Sequence, residues 1–121
     1  MDAKELIAYD DLERCTITIK KWKNLKLEIV EMTGEERENV IKASRNGDKV
    51  EPEAFAENAI LASVKEPGTN LPFFDLKTIQ LLKKKSWRAV EQVAAAVFEI
   101  NGLGDKALEE AEKNSGGDIP S

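Results

Sequence analysis

The stretch SWRAVEQVAAAVFEINGL, residues 86–103, predicts one long amphipathic helix with defined ends. Its apolar residues recur at helical spacing and form one broad stripe, opposite Arg88 and Glu91. The stripe consists of Trp87, Val90, Val93, Ala94, Val97, Phe98 and Ile100. The Ser86 hydroxyl can cap the first turn, and Gly102 can end the helix because glycine adopts the left-handed conformation at little cost. We therefore expect the rest of the chain to cover this helix.

Composition and charge favour a single soluble domain. The chain has 121 residues, of which 41% are hydrophobic and 34% charged, and this length suits one hydrophobic core. No run approaches the ~18 apolar residues of a membrane span, and the first residues lack the apolar centre of a signal peptide. One cysteine, Cys15, cannot form an internal disulfide, which favours a reducing cytoplasm. We therefore predict no contact with a membrane.

The acidic balance argues against nucleic acid as the main partner. Net charge is −5, whereas phosphate binding needs a concentrated basic surface. Basic residues cluster at only two places, which we interpret as solvated turns and strand edges. These are Lys20, Lys21, Lys23 and Lys26 in the first cluster, and Lys83, Lys84 and Lys85 in the second.

Residues 15–32 change to a period of two. Ile17 and Ile19 alternate with polar residues, and Leu25, Leu27 and Ile29 do the same, which is typical of β-strands. We predict a β-hairpin that turns between residues 22 and 24. A lone hairpin is marginal in water, so it must lie on helices or pair with another edge. Its unpaired edge permits self-association.

Three further helices are predicted by their start signals. Thr33 and Glu36 have capping-box spacing, Pro52 suits a first helical position, and Asp75 precedes a short apolar-periodic segment. We place the first helix up to Arg45 or Asn46 and the second up to residue 64. The predicted fold is mainly α within the α+β class: about four helices packed around the C-terminal amphipathic helix, with an N-terminal β-hairpin.

The predicted domain organisation has three parts. Residues 1–14 form either a short helix capped by Asp2 or an arm, and residues 15–103 form one globular domain. Residues 104–121 form a charged, flexible tail that can begin with one or two helical turns.

The loop sequence TNLPFF is too apolar for an ordinary exposed loop, because it carries Leu71, Phe73 and Phe74. Either these side chains fold down as a lid over the helices, or they form a partner-binding patch. Trp22 and Trp87 are the other large aromatic candidates for such a patch. For Trp87 a place in the core is an equal alternative.

Residues that carry catalysis or bind metals are scarce. The chain has no histidine, and Cys15 lies in a predicted strand without a base to activate it. One cysteine without histidine gives no zinc spacing, and no glycine-rich phosphate loop follows a strand. Paired acids such as Glu35 and Glu36 lie at predicted helix starts, where acids are expected. We therefore predict binding and not catalysis, with no catalytic residue, no metal and no cofactor.

The ordered features resemble the tail assembly chaperones of long-tailed bacteriophages and related prophages. The resemblance runs from Thr16 to Leu103: a hairpin, a T-G-E-E helix start, a helix ending A-S-V-K-E-P (residues 62–67), a short helix, and an alanine-rich helix ending F-E-I-N-G-L (residues 98–103). These motifs are short, and they are more specific as an ordered set than singly.

The resemblance implies a function. Such proteins bind the tape measure protein, keep its apolar helices soluble, and help to recruit tail tube protein around it. They act in the host bacterial cytoplasm and are absent from the mature virion. Many are also made in a longer, frameshifted form, which becomes a further expected partner. A contact surface formed by Trp22, Leu71, Phe73, Phe74 and Trp87 is compatible with this function.

Two other classes stay open on the sequence. Residues 75–101 superficially fit a helix-turn-helix, which would indicate a small DNA-binding regulator or adaptor. Its second helix offers few base-reading donors beyond Arg88 and Gln92. A structural tail component is the other class, and it would contain more β-structure.

Overall fold

A three-stranded antiparallel sheet supports the helices in the computed structural model, which describes residues 1–104 and 106–114. Strands β1 (Arg14–Ile19) and β2 (Leu25–Val30) form the predicted hairpin, with Ile17 opposite Leu27. The sequence order β1, β2 and β5 (Val64–Lys65) is also the spatial order, because β5 pairs antiparallel with β2. Among the described residues β1 is a free edge of the sheet, whereas the other edge strand, β5, is bridged by Pro72 of the following loop.

The remaining elements are mostly helical, and six α-helices occur among the described residues. They are α1 (Ala3–Ala8), α2 (Gly34–Ser44), α3 (Pro52–Ser63), α4 (Leu76–Leu81), α5 (Trp87–Ile100) and α6 (Ala107–Asn114). Short 3-10 turns occupy Lys20–Trp22 and Leu82–Lys84, and β3 (Arg45–Asn46) pairs with β4 (Lys49–Val50). The predicted α+β class with an N-terminal hairpin is confirmed.

The hairpin buries the face that its alternation predicts and, at the end of β2, also Val30 of the opposite face. Ile19, Leu27 and Ile29 are fully buried, and the lysines of the turn are exposed. The turn itself begins earlier than predicted, because Lys20–Trp22 form a 3-10 turn. Lys23 and Asn24 follow it with φ of 57° and 59°. Two consecutive left-handed residues reverse the chain, and the half-buried Trp22 packs against the core.

Helix α5 has the ends that the sequence predicts. The Ser86 hydroxyl accepts a bond from the Ala89 N–H. At the other end Gly102 has φ +64°, its N–H donates to the Glu99 carbonyl, and the Leu103 N–H donates to the Phe98 carbonyl at 2.8 Å. These bonds form a Schellman motif, which gives the I-N-G-L sequence a structural reason.

The stripe of α5 faces the sheet and α3: two of its seven residues are buried, four are half-buried and Trp87 is exposed. Ala89, Val93 and Val97 are buried, and Phe98 packs 6.0 Å from the buried ring of Phe55 on α3. Trp87, which we placed on the same stripe, is 69% exposed. It is the first residue of the helix.

Helix α2 begins with the predicted capping box. The Thr33 hydroxyl accepts from the Glu36 N–H at 3.1 Å, and the Glu36 carboxylate accepts from the Thr33 N–H at 3.0 Å. The helix ends at Ser44, before the predicted Arg45 or Asn46, because these two residues pair with β4. A minimal hairpin of β3 and β4 therefore connects α2 to α3.

Strand β5 was not predicted, since the pattern extended the helix to residue 64. Helix α3 ends at Ser63, and Val64 is buried opposite Ile29 of β2. The local pattern favours a helix at Val64, but Val64 instead pairs with β2 and satisfies backbone hydrogen-bonding groups of that strand.

Helix α6 lies inside the segment that we predicted as a charged tail. Its Ala107 and Ala111 are buried, and the Glu112 carboxylate accepts a 2.7 Å bond from the Val50 N–H of β4. The Arg45 guanidinium reaches the carbonyls of Ala111 and Glu112 at 3.4 Å. The flexibility predicted for residues 115–121 lies outside the described residues, as does residue 105.

At the other end of the chain α1 is a short helix, one of the two alternatives, and Asp2 caps it by accepting from the Glu5 N–H at 2.8 Å. None of its residues is buried. Among the described residues, no helix has the length and apolar content to cross a membrane.

Candidate functional site

Four of the five predicted contact residues border two neighbouring grooves on one side of the molecule. Trp22, Phe73 and Phe74 line one groove, and Trp87 lines the other. Leu71 is exposed but lines neither of them. The structure thus brings together residues from the hairpin turn, the TNLPFF loop and the start of α5.

The first groove, here called the aromatic groove, lies between the β1–β2 turn and the loop before α4. Its volume is about 360 Å³. It is lined by Lys21, Trp22, Lys23, Leu25, Phe73, Phe74, Leu82 and Lys85. An apolar floor with lysines at the rim is a surface for an amphipathic partner.

Hydrogen bonds hold the two phenylalanines in this groove. The Phe73 N–H donates to the Val64 carbonyl at 3.0 Å, which ties the loop to β5. Asp75 then starts α4 by accepting from the Thr78 N–H at 2.7 Å, and this bond lowers the pKa of Asp75. The rings of Phe73 and Phe74 meet edge to face at 4.9 Å.

The TNLPFF loop combines both alternatives that its sequence left open. Phe74 is only 9% exposed and packs into the core, as the lid alternative expects. Phe73 is half-buried on the groove, and Leu71 remains exposed. Phe74 therefore belongs to the core, and Phe73 is accessible from the groove.

The second groove, here called the helical groove, runs between α3, α4 and α5 and also measures about 360 Å³. Its lining consists of Glu53, Ala56, Glu57, Ile60, Ile79, Leu82, Lys83, Lys85, Trp87, Val90, Glu91 and Ala94. Lys83 spans it with ion pairs to Glu53 at 3.3 Å and Glu57 at 3.7 Å. The bond to Glu53 is the main cause of the raised pKa of Lys83.

Leu82 and Lys85 line both grooves, so the two form one continuous surface. Trp87 stands at one side of it, and the Arg88 guanidinium lies 5.9 Å from the Trp87 ring. A cation over an indole face restrains both side chains although both are exposed. Sequence reasoning missed Leu82 and Lys85 as surface-forming residues, and only the spacing of Leu82 from Ile79 indicated an apolar contact.

The two basic clusters meet at this surface. Lys21 and Lys23 from the hairpin turn and Lys85 from the segment before α5 line the same groove. We interpreted both clusters as solvated turns and strand edges, and they lie far apart in the sequence. The fold gives an acidic chain a locally basic, aromatic surface.

Asp10 and Cys15, whose pKa values are also shifted, line neither groove. Asp10 accepts a bond from the Leu12 N–H and pairs with Arg14 at 3.1 Å, and both interactions lower its pKa. Cys15 lies on the free edge strand, where partial burial and then the nearby charge of Glu99 raise the pKa of its thiol. Across residues 1–104 and 106–114 no group of three acidic or cysteine side chains is placed to hold a metal ion.

Comparison with known proteins gives a similarity in fold. No protein-family model and no curated protein matches this chain. Among solved structures, the bacteriophage HK97 tail assembly chaperone aligns with a TM-score of 0.52 and 13% sequence identity. The alignment covers 84% of this chain and 95% of that one. This chain therefore has the fold of a phage tail assembly chaperone, in agreement with the resemblance of its sequence motifs.

Proposed function

We propose that this chain is a non-catalytic tail assembly chaperone that binds a tape measure protein and helps to recruit tail tube subunits during tail morphogenesis. The observation that carries the proposal is the similarity in fold to the HK97 tail assembly chaperone over 84% of this chain. The sequence motifs support the same function independently of that alignment.

The aromatic and helical grooves together, here called the double groove, are the surface that we assign to the tape measure protein. Tape measure helices must be kept from aggregating, so their binding site needs accessible apolar area with a polar rim. Trp87 offers the largest exposed aromatic side chain at this surface, and Phe73 offers a half-buried one. Tryptophan is enriched among residues that dominate binding energy.

The proposed setting is the host bacterial cytoplasm during assembly, with the chain absent from the mature virion. A longer, frameshifted form of the same protein is proposed as a further partner. Tail tube protein is proposed to join the complex after the tape measure protein has bound. These statements follow the sequence resemblance and are proposals for this chain.

Co-expression with the tape measure protein of the same phage or prophage tests the proposal. We expect soluble tape measure protein to increase and to co-purify with this chain. Trp87→Ser should reduce co-purification by about tenfold, since loss of one buried aromatic anchor removes at least 1.4 kcal/mol. Leu76→Ser is the matched control, because Leu76 is 76% exposed and lines neither groove.

Two results would contradict the proposal. If the tape measure protein stays insoluble and never co-purifies, the chaperone function is wrong. If it co-purifies equally with both variants, the function stands but the double groove is not its site. If Phe73→Ala unfolds the protein instead of weakening its binding to the tape measure protein, Phe73 is not part of the contact surface.

A DNA-binding regulator is the second candidate, and the convergence of Lys21, Lys23 and Lys85 is the observation that favours it. Against it, the Gln92 side chain, one of few base-reading donors on α5, donates to the Thr18 carbonyl at 3.1 Å. Titration of labelled duplex DNA at two salt concentrations distinguishes the candidates. Tight binding that weakens steeply with salt would favour the regulator.

A further inference from the structure

Helix α1 carries apolar side chains that the described chain does not cover. Leu6, Ile7 and Tyr9 are all exposed, Ile7 by 85%, and α1 has no buried residue. A helix of six residues is not stable in water on its own, because nucleation costs more than so few hydrogen bonds return. Packing of its apolar side against another surface would stabilise α1.

The charge of this segment is complementary to the aromatic groove. Between residues 2 and 11 there are four acids and one lysine, so the net charge is 1 − 4 = −3. Lys21, Lys23 and Lys85 are the only charged residues among those lining the aromatic groove. Apolar side chains flanked by carboxylates match an apolar floor flanked by ammonium groups.

Segment 2–11 is poorly placed to reach the aromatic groove of its own chain. Segment 2–11 precedes strand β1, whereas the groove lies at the turn that follows β1. Six residues of strand separate the two by about 17 Å. The ion pair between Asp10 and Arg14 further holds the segment at the start of the strand.

We propose that residues 2–11 of one copy of this chain dock into the aromatic groove of a second copy. Leu6, Ile7 and Tyr9 contact the apolar floor beside Trp22 and Phe73, and the acids lie near the lysine rim. The contact is heterologous, since an arm meets a groove, so each copy retains one free arm or groove for another copy. The proposal does not depend on the tape measure protein, although a client in the same groove would compete with the arm.

Self-association of the full chain is the first test. Sedimentation equilibrium should show a mass that rises with concentration, and Ile7→Asp should weaken association by about tenfold or more, because one buried isoleucine accounts for that factor. Leu76→Asp removes an equally exposed leucine outside the groove and should leave association unchanged. Neither site is buried, so both variants should fold.

A charge exchange tests the pairing itself. In the proposed contact Glu5 faces Lys21, so Glu5→Lys and Lys21→Glu should each weaken association. The double variant should recover much of the loss, because the two exchanged side chains attract each other again. A photo-crosslinker at position 7, in a mixture of 15N-labelled and unlabelled chains, should join the arm to the groove segments of the other copy.

Three outcomes would overturn the proposal. The chain could remain a monomer at millimolar concentration, Ile7→Asp and Leu76→Asp could weaken association equally, or crosslinks could form within one chain or outside residues 21–25 and 73–85. Recovery of association in the charge-exchanged double variant together with intermolecular crosslinks to the groove would establish it.

Discussion

Asn101 connects three parts of the fold through one side chain, and its removal is our main prediction. Its carbonyl oxygen accepts from the Met32 N–H at 2.7 Å. Its amide donates to the Ser63 hydroxyl at 3.0 Å and to the Val97 carbonyl at 2.8 Å. Met32 and Ser63 are buried, so both lose a partner that water cannot easily replace. Asn101→Ala leaves the backbone unchanged, because φ of −92° is allowed for alanine.

The expected cost follows from these bonds. Two tertiary hydrogen bonds are worth about 1 kcal/mol each, and an unsatisfied buried N–H can add about as much again. Since Asn101 itself is only part-buried, some water can enter, and we expect a loss of about 2–3 kcal/mol in the free energy of unfolding. For a domain of this size the melting temperature should fall by about 10 °C.

Urea unfolding followed by circular dichroism measures this difference. Asn46→Ala is the matched control, because the Asn46 amide makes one exposed bond, to Glu51 at 3.3 Å, and should cost under about 0.5 kcal/mol. A loss below about 1 kcal/mol for Asn101→Ala, or equal losses for both variants, would refute the connecting role of Asn101.

Three further predictions concern the helix ends and the aromatic pair. Gly102→Ala should cost about 1–2 kcal/mol by thermal unfolding from backbone strain alone, because φ is +64° and nothing lies within 4 Å of the added Cβ. A variant as stable as wild type would contradict the left-handed cap. The Asp75 cap should weaken in acid, because the pKa of Asp75 in the folded state lies below the unfolded value of 3.8. Its contribution to stability is full well above pH 3.8 and is lost as the pH falls through the folded pKa. The stability advantage of wild type over Asp75→Asn should therefore shrink from about pH 6 to about pH 3, and an advantage that grows would refute the sign. Phe74→Ala should cost about 3 kcal/mol in urea unfolding, since the ring is buried against Phe73. An unchanged stability would mean that Phe74 belongs to the accessible surface.

Local signals in the sequence predicted most of the helix and strand positions. Thr33 with Glu36, and Asp75 before α4, start helices through bonds to residues three positions away, so no distant contact is needed to recognise them. The same holds for the Gly102 stop. Strand β5 was missed because Val64 takes its conformation from a pairing with Ile29, 35 residues earlier, which no local pattern records.

The residues predicted to contact a partner were chosen by residue type, and the fold decides how they are arranged. Trp22, Phe73 and Phe74 were selected as large aromatics, and the fold places all three at one groove. The exposure of the aromatic side chains could not be predicted. Helical spacing assigns Trp87 to the apolar stripe of α5, yet Trp87 is exposed in the structure. Phe74 shows the opposite case of a loop aromatic that is buried.

The sequence by itself determined the starts of α2, α3, α4 and α5, the end of α5 and the two strands of the hairpin, since capping bonds, glycine at positive φ and strand alternation act over a few residues. It also determined the acidic net charge and the absence of histidine. Only the tertiary structure decided that lysines from positions 21 and 85 share one groove, and that Asn101 joins Met32 to Ser63. Such contacts depend on how the sheet and α5 pack, and the packing energy is a sum over residues that are distant in the chain.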